Sequence, residues 1–370
     1  MKDNQTKLHK IAVAVFACNE AFVIQDTIVS IQKALRPADN LFVIADNCTD
    51  NTVNLASQLG AKVFCRTNDR FRGKGAAISW FVKEHQDIIN EFDQLVILDA
   101  DSLLTEDFIE KLESELDDQF VVGQCFLNPV AYKDSPLSTL IALSELVEQT
   151  VFDRIRLLFG FSVRLRGTGM VFNPQLLYKL CNKVGTEVED IVFSLLLAGE
   201  KITIRSITSA IVYDPKPTGL VSASKQRARW FRGQNTALWK YRDDVKKTFL
   251  SGMNGWSVLT SIFFKPRWLK LIILALFGLV CLHFPIISTV LFGYVAIESL
   301  LILIGTFRLQ NRIEFLKSLF YLPIFLLMWI YGIQLSFKHL PWLRVRSISS
   351  SMMNCGINSD HFVIYYKGIK

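Results

Sequence analysis

The sequence predicts an α/β protein with a mostly parallel central sheet, followed by interfacial helices and a C-terminal transmembrane hairpin. Short runs of branched apolar residues, each ending in acid or amide groups, alternate with segments of helical periodicity in the first part of the chain. Beyond Trp268 the chain turns instead to long stretches almost free of charge. Strands alternating with helices imply an open parallel sheet, and apolar stretches near twenty residues imply bilayer spans.

The chain has 370 residues, 51% of them hydrophobic, and a formal charge of +7. A positive mean hydropathy is high for a wholly soluble protein, and the excess lies after Trp268. Lys265, Arg267, Lys270, Arg308, Arg312 and Lys317 cluster beside the apolar segments, so the basic balance points to a membrane surface and not to nucleic acid. Met1–Lys10 is polar and runs straight into a strand, so no signal peptide is expected. The seven cysteines lie scattered without a Cys-x-x-Cys pair, as core fillers in a reducing compartment would.

The first strand is Ile11–Ala17, ending in Cys18-Asn19-Glu20, and a helix is expected over Glu20–Leu35. Leu41–Ala45 ends in Asp46-Asn47-Cys48-Thr49-Asp50, with a helix from Thr52 to Leu59 closed by Gly60. The stretch on which the rest depends is Gln94–Asp101, where four apolar residues end in Asp99-Ala100-Asp101. If the strand persists, both carboxylates leave on one face. Facing carboxylates repel unless a cation lies between them, and hard Mg²⁺ or Mn²⁺ takes such ligands while sharing substrate phosphates. Open α/β sheets bind ligands beyond the carboxyl ends of their strands, so three such endings predict a binding site there.

Between these strands, Arg66–Lys74 is basic and contains Gly73, and a helix follows over Gly75–Glu84. Lysine and backbone amides at a helix start suit an anion, although a solvated basic turn has the same composition. Thr105–Leu116 has helical periodicity, Phe120–Leu127 reads as a strand, and Pro136–Leu158 reads as a helix that packs over the site or lies near the membrane. Arg166-Gly167-Thr168-Gly169-Met170 is a turn before a short strand. Thr186 and Glu189 fit a capping box, leaving Asp190 in the first helical turn, where the dipole favours its ionised form. Gln226–Trp230 opens a stretch rich in Arg and Trp, fit either for phosphate or for an interfacial helix.

Trp268–Phe284 and Ile286–Phe307 form the hairpin, with Pro285 at its turn. Basic residues flank its open end, which puts the turn outside and the α/β part of the chain in the cytosol. Ser318–Phe337 is a third apolar stretch, broken early by Pro323, and reads as interfacial or re-entrant if the basic tail is to stay inside, or else as a further span.

Taken in order, Asn19-Glu20, Asp46–Thr52, Arg72-Gly73-Lys74-Gly75, Asp99-Ala100-Asp101, Glu189-Asp190 and Gln226-Arg227-Ala228-Arg229-Trp230 resemble family 2 of the inverting glycosyltransferases, with their GT-A nucleotide-sugar fold. The later part resembles the membrane-attached bacterial polysaccharide synthases of that family, and Pro341–Arg346 is similar to their Trp- and Arg-bearing loop, without its Thr. The resemblance implies donor binding by Asn19, Glu20, Asp46, Lys74 and Asp99, and a metal held by Asp101 with Asp99. It also implies diphosphate or acceptor contacts from Arg166, Gln226, Arg229 and Trp230, and Asp190 as the base that deprotonates the acceptor.

The expectation is therefore a cytosolic catalytic domain over 1–220, interfacial helices over 221–267, the hairpin over 268–307, and a third apolar helix with a C-terminal loop over 308–370. Its reaction is sugar transfer from a nucleoside-diphosphate sugar, a UDP-sugar favoured, to a carbohydrate or lipid-linked acceptor in extracellular polysaccharide synthesis at the inner (plasma) membrane. The alternatives are addition of one sugar to a lipid carrier, or an inactive nucleotide-binding regulator. A polymer pore would need a homo-oligomer or an export partner, because this chain has few helices. A dehydrogenase is disfavoured, since no Gly-x-Gly-x-x-Gly follows the first strand.

Overall fold

The computed structural model describes residues 8–132, 134–184, 188–263, 267–307, 316–337 and 361–363. The chain divides into two compact units. The first holds the described residues up to Leu127 and Val163–Pro215, and the second holds Asn128–Ser162 and the described residues from Lys216 onward.

The first unit opens with β1 (Ile11–Ala17), α1 (Ile24–Ala34), β2 (Asn40–Asp46), α2 (Thr52–Gln58) and β3 (Lys62–Arg66). Next come α3 (Lys74–Glu84), α4 (Gln86–Ile89), β4 (Gln94–Asp99), β5 (Leu103–Leu104), α5 (Phe108–Glu113) and β6 (Val122–Tyr132). The second unit takes over at Asn128 with α6 (Pro136–Val147), a π-helical turn at Glu148–Asp153 and α7 (Arg154–Leu158). The chain then returns to the first unit with β7 (Met170–Phe172), α8 (Pro174–Cys181), α9 (Glu189–Gly199) and β8 (Arg205–Pro215). The remainder is α10 (Leu220–Lys240), α11 (Arg242–Leu250), α12 (Met253–Phe263), α13 (Arg267–Val280), α14 (Pro285–Phe307), α15 (Leu322–Ser336) and β9 (His361–Val363).

The sheet order is β3-β2-β1-β4-β7-β6-β8-β5, with β9 on β6. β3, β2, β1 and β4 are parallel, while β7 runs antiparallel to β4 and β6. The chain builds from β1 toward β3 on one side and crosses back to place β4 on the other. The order reverses at β1, where open α/β sheets form their ligand site. Alternation places Val13 and Val15 in a core with Ile28, Val43, Phe108 and Val212. Phe16 and Phe42 turn to the opposite face and meet Phe81 of α3. A sheet covered on both faces explains why its strands read as continuous apolar runs.

The predicted helix over Pro136–Leu158 keeps its path but widens into the π turn at Glu148–Asp153. The chain over the predicted transmembrane hairpin folds as α13, a 3₁₀ turn at Cys281–His283 and α14 with Pro285 at its start, and of these helices only α14 is by itself of spanning length. α13 has 14 residues, roughly 21 Å, short of a bilayer core of about 30 Å. Pro285–Thr306 and Leu316–Ser336 are each long and apolar enough to cross a membrane, by length and composition. The third apolar stretch thus forms a helix of spanning length. Arg308, Arg312 and the loop over Pro341–Arg346 lie outside the described residues.

Charges that read as flanks of the hairpin are paired within the second unit. Arg267 Nε donates to Glu148 Oε2 (2.6 Å) and its Nη1 to Glu298 Oε1 (2.8 Å), with the guanidinium 3.5 Å from the Phe152 ring. Lys270 Nζ donates to both Glu298 oxygens, at 2.9 and 2.7 Å. Arg156 adds bonds to Glu148 (3.1 Å) and Asp153 (2.6 Å).

Candidate active site

Parallel pairing brings the carboxyl ends of β1, β2 and β4 to one edge: Phe16 lies opposite Asp99, and Ala17 opposite Ala45. The three acid- or amide-bearing endings therefore meet as the sequence predicts. Asn19 and Asn47 both take positive φ, a conformation asparagine tolerates and most residues do not.

Asn19 is a brace between two loops. Its Oδ1 accepts from the backbone N–H groups of Thr49 (2.7 Å) and Asp50 (3.2 Å). The Glu20 amide donates to Thr52 Oγ1 (2.8 Å), and its carbonyl accepts from Val23 and Ile24, which starts α1. The predicted helix start at Glu20 shifts to Ile24, because Glu20 to Val23 form the turn that closes on the Asp50–Thr52 loop.

Asp46 is buried and accepts from Arg66 Nη1, which is 5% exposed, and from Asn47 Nδ2 (3.0 Å). Burial raises the Asp46 carboxyl above its ordinary value, while Arg66 and the Gly73 amide pull it down. Arg66 therefore serves Asp46, although its place in the basic stretch suggested an anion ligand. Gly73 has φ +106°, which admits glycine and strains other residues.

Lys74 joins three segments. Its Nζ donates to Asp99 Oδ1 (2.6 Å) and to the Gly167 carbonyl (2.7 Å). The Asp99 amide donates to Thr168 Oγ1 (3.1 Å), and Ser102 Oγ lies 2.8 Å from that hydroxyl. Gln124 Nε2 donates to the Thr168 carbonyl (2.9 Å), and its Oε1 accepts from the Arg166 amide (2.8 Å). The Gly167–Gly169 turn is thereby part of the site. Gly169 takes φ +66°, which favours glycine, and a Cβ there would press on the Leu127 (3.1 Å) and Val212 (3.2 Å) methyls.

The expectation that Asp99 and Asp101 leave one face of a continuing strand does not hold. β4 ends at Asp99, and Ala100-Asp101 form a turn closed by the Ser102 amide on the Asp99 carbonyl (3.2 Å). Thr27 Oγ1 donates to the Ala100 carbonyl (2.7 Å) and fixes that turn. Asp101 is buried, and the Asp99 side chain is 34% exposed. Among the described residues no three His, Cys, Asp or Glu side chains gather as a metal-binding group. A donor set of two hard carboxylates suits a cation that takes its other ligands from phosphate and water.

α9 begins at Glu189, with Val188 at the N-cap and no side-chain cap. The helix thus starts with Val188, and not Thr186, at the N-cap, and Thr186 with the capping box expected of it lies outside the described residues. Glu189 is 4% exposed, and Asp190 keeps partial access to solvent. Ser194 Oγ donates to the Asp190 carbonyl (2.7 Å) and accepts from the Leu165 amide (3.0 Å), tying α9 to the Arg164–Gly169 segment. Burial raises the Asp190 carboxyl, while Arg164, the Ile191 amide and Lys74 lower it and Asp99 raises it again. Burial raises Glu189 as well, opposed by Lys74. The expected stabilisation of ionised Asp190 by its helix position is thus outweighed by burial among like charges.

Burial pushes the Cys18 thiol, beside these strand ends, up to about 11, so it offers no thiolate nucleophile near neutral pH. Gln226, Arg229 and Trp230 lie on α10 in the second unit, with Gln226 buried and Arg229 and Trp230 half-buried. Arg164 and Gln124 were not singled out by the sequence, and Arg66 and Thr168 were read only as parts of a basic stretch and a Gly-bearing turn, because their parts depend on contacts between distant segments.

An open α/β sheet whose parallel strands end in carboxylates at the point of reversal, with a lysine among them, has the build of a GT-A nucleotide-sugar-binding domain. The model described as "Glycosyl transferase family group 2" matches residues 95–331, and "Glycosyl transferase family 2" matches residues 12–169. The chain belongs to the family 2 glycosyltransferases. Among solved structures it is similar to a mannosyltransferase of Pyrobaculum calidifontis in complex with GDP-Man and Mn²⁺. That match has a TM-score of 0.50 and 13% identity, and covers 90% of this chain and 88% of the other. A second match is TarS of S. aureus with UDP-GlcNAc, at a TM-score of 0.42, 14% identity and coverage of 68% and 71%. No curated protein matches the chain.

Proposed function

We propose that this glycosyltransferase is metal-dependent, inverting and membrane-attached, and that it moves sugar from a nucleoside-diphosphate sugar, a UDP-sugar favoured, to a carbohydrate or lipid-linked acceptor in cell-surface polysaccharide synthesis. The observation that carries this reading is the meeting of Asp46, Asp99, Asp101, Lys74 and Asp190 at one edge of the parallel sheet.

Asp46 would hold the nucleoside, with Asn19 and Glu20 shaping that side through the loops they brace. Asp101, with Asp99, would hold Mg²⁺ or Mn²⁺, which when bound supplies positive charge to the leaving diphosphate. Lys74 uses two of its three N–H donors on Asp99 and Gly167, so its ammonium is held in place, and among the described residues one donor remains for a phosphate oxygen. Arg166 and Arg229 would bind diphosphate, and Gln226 and Trp230 would contact the acceptor sugar, within the diphosphate or acceptor contacts that the family resemblance implies. Asp190 would take the proton from the acceptor hydroxyl. Its raised affinity for protons makes it a stronger base than a free aspartate once ionised. A diphosphate leaving group needs no acid partner, unlike the two-carboxylate arrangement of a glycosidase.

Membrane attachment is supported by the two helices of spanning length and by the exposed Ile286, Val290, Ile297, Leu300 and Leu303 of α14. An apolar face of this size faces lipid or a partner. The catalytic unit would lie on the cytosolic side of the plasma membrane.

The test is incubation of protein-bearing membranes with a panel of nucleoside-diphosphate sugars, with and without acceptor extract. Acceptor-dependent release of nucleoside diphosphate, with inversion at the transferred anomeric carbon, is expected. No release from any donor would overturn the enzymatic reading and favour a nucleotide-binding regulator.

A further inference from the structure

The first arginine of the Gln226–Trp230 stretch has no part in the reading above, yet among the described residues it is the most enclosed cation of the second unit. Arg227 is 2% exposed. Its guanidinium lies 4.0 Å from the Trp230 ring and 4.9 Å from the Trp329 ring, within cation–π range of both. Its Nη1 donates to Gln226 Oε1 (2.9 Å), and its Nη2 lies 3.9 Å from Glu145 Oε1. Glu145 in turn pairs with Lys216.

The ring on the far side belongs to α15, within the helix of spanning length. Trp329 is buried, and its indole N–H finds no acceptor among the described residues. A hydrogen bond therefore does not hold the ring. It is held by Arg227, by Phe231 with ring centroids 5.9 Å apart, and by Phe325 at 6.4 Å. The two helices approach closely at the same level. A Cβ on Gly332 would come within 2.8 Å of Arg227 Cβ and 3.2 Å of the Ser224 carbonyl. Ser224 Oγ also donates to the Met328 carbonyl (3.1 Å).

We propose that Arg227 is a positioning residue: held between Trp230 and Trp329 and bonded to Gln226, it sets the orientation of Gln226 and Trp230 and makes that orientation depend on the docking of α15. This rests on the reading that Gln226 and Trp230 serve transfer. A flat guanidinium suits the place, because it can stack on two rings while donating in its own plane. The consequence is that the acceptor side of the reaction responds to the seating of an apolar helix, and nucleotide binding on the sheet does not.

The test compares Arg227→Met, Arg227→Lys and Gly332→Ala in the full-length protein in detergent micelles. Arg227→Met removes the charge and the bond to Gln226. Acceptor-dependent kcat/KM should fall by about tenfold to a hundredfold, the scale of desolvated cation–π contacts together with a hydrogen bond to a charged group. The dissociation constant for the nucleotide sugar should change less than about threefold. The near-ultraviolet circular dichroism of the tryptophans should lose intensity. Arg227→Lys keeps a cation between the rings and should restore more of the dichroism than of the turnover. Gly332→Ala leaves Arg227 in place but forces the helices apart, and should reproduce the Arg227→Met pattern in both readouts.

Wild-type acceptor kinetics in folded Arg227→Met, or unchanged near-ultraviolet dichroism in both Arg227→Met and Gly332→Ala, would overturn the proposal. Should the wild-type protein release nucleoside diphosphate from no donor, the functional reading fails on its own. The dichroism of the three variants still decides whether Arg227 couples Trp230 to α15. If Arg227→Met does not fold, Gly332→Ala carries both readouts.

Discussion

The two units handle buried charge in opposite ways. At the sheet edge the carboxylates Asp46, Asp99, Asp101, Glu189 and Asp190 gather with Arg66, Lys74 and Arg164, and Arg72 also acts on Asp46, yet burial still raises Asp46, Glu189 and Asp190. Among the helices of the second unit Glu148, Asp153 and Glu298 are matched by Arg156, Arg267 and Lys270. A balanced network has its charges neutralised within the fold and holds helices together. An excess of negative charge raises carboxyl proton affinities and favours any cation that arrives. The first arrangement is built to bind, and the second to stay closed.

That contrast can be broken most sharply by removing the cation the first arrangement awaits. Excess chelator should abolish sugar transfer, and Mn²⁺ or Mg²⁺ should restore it. Added Mn²⁺ should also raise the melting temperature of the wild-type protein and not that of Asp101→Asn, since ligands that bind only the folded state stabilise it. Full transfer in chelator would remove the metal from the mechanism.

The next largest effect belongs to Asp190→Asn. This variant keeps size but cannot accept a proton, so turnover should fall by roughly 10²-fold or more while donor binding persists. Asp99→Asn should weaken donor and metal binding as well as turnover. Donor titration of both variants separates them, and lost affinity with intact turnover in Asp190→Asn would exclude it as the base.

In the closed network the effect should fall on stability. Glu298→Gln leaves Lys270 and part of Arg267 without their carboxylate, and losing one member of a buried pair costs about 3–5 kcal/mol. Denaturant unfolding in detergent should show this, and Glu298→Gln with Lys270→Met should recover much of it. A single variant as stable as wild type would show that the network contributes little.

The smallest effect is a shift in pH. Asp190 has a raised proton affinity, so its basic form is lost as pH falls through that raised value. The acid limb of kcat should therefore lie above the value of about 3.9 for a free aspartate. Arg164 pulls Asp190 down, so Arg164→Gln should move the limb to higher pH. A limb unmoved by that change would sever Arg164 from Asp190.

Much of the first unit was legible in the order of its residues. Apolar runs ending in Asn19, Asp46 and Asp99 specify strands with polar ends, because only a sheet covered on both faces needs unbroken apolar strands. Their parallel pairing then brings those ends together without further instruction. β3 and β8 escaped notice for the same reason in reverse. β3 is a largely uncovered edge strand, and the apolar run of β8 is interrupted by Arg205, Ser206, Thr208 and Ser209, none of them buried.

The sequence by itself determined the sheet, the carboxylate-bearing edge and the apolar helices near the C-terminus, because periodicity and local order encode each of them, and its motifs carried the resemblance to the family. Only the tertiary structure decided which charges meet. Arg66 turns to Asp46, Lys74 to Asp99 and Gly167, Arg227 to two tryptophans, and Arg267 to Glu148 and Glu298. These partners lie up to about a hundred or more residues apart, as with Arg267 and Glu148. Electrostatic energy depends on separation and burial in space, which no spacing along the chain reports. For that reason the sequence identified the groups that carry chemistry, and the fold assigned the groups that hold them.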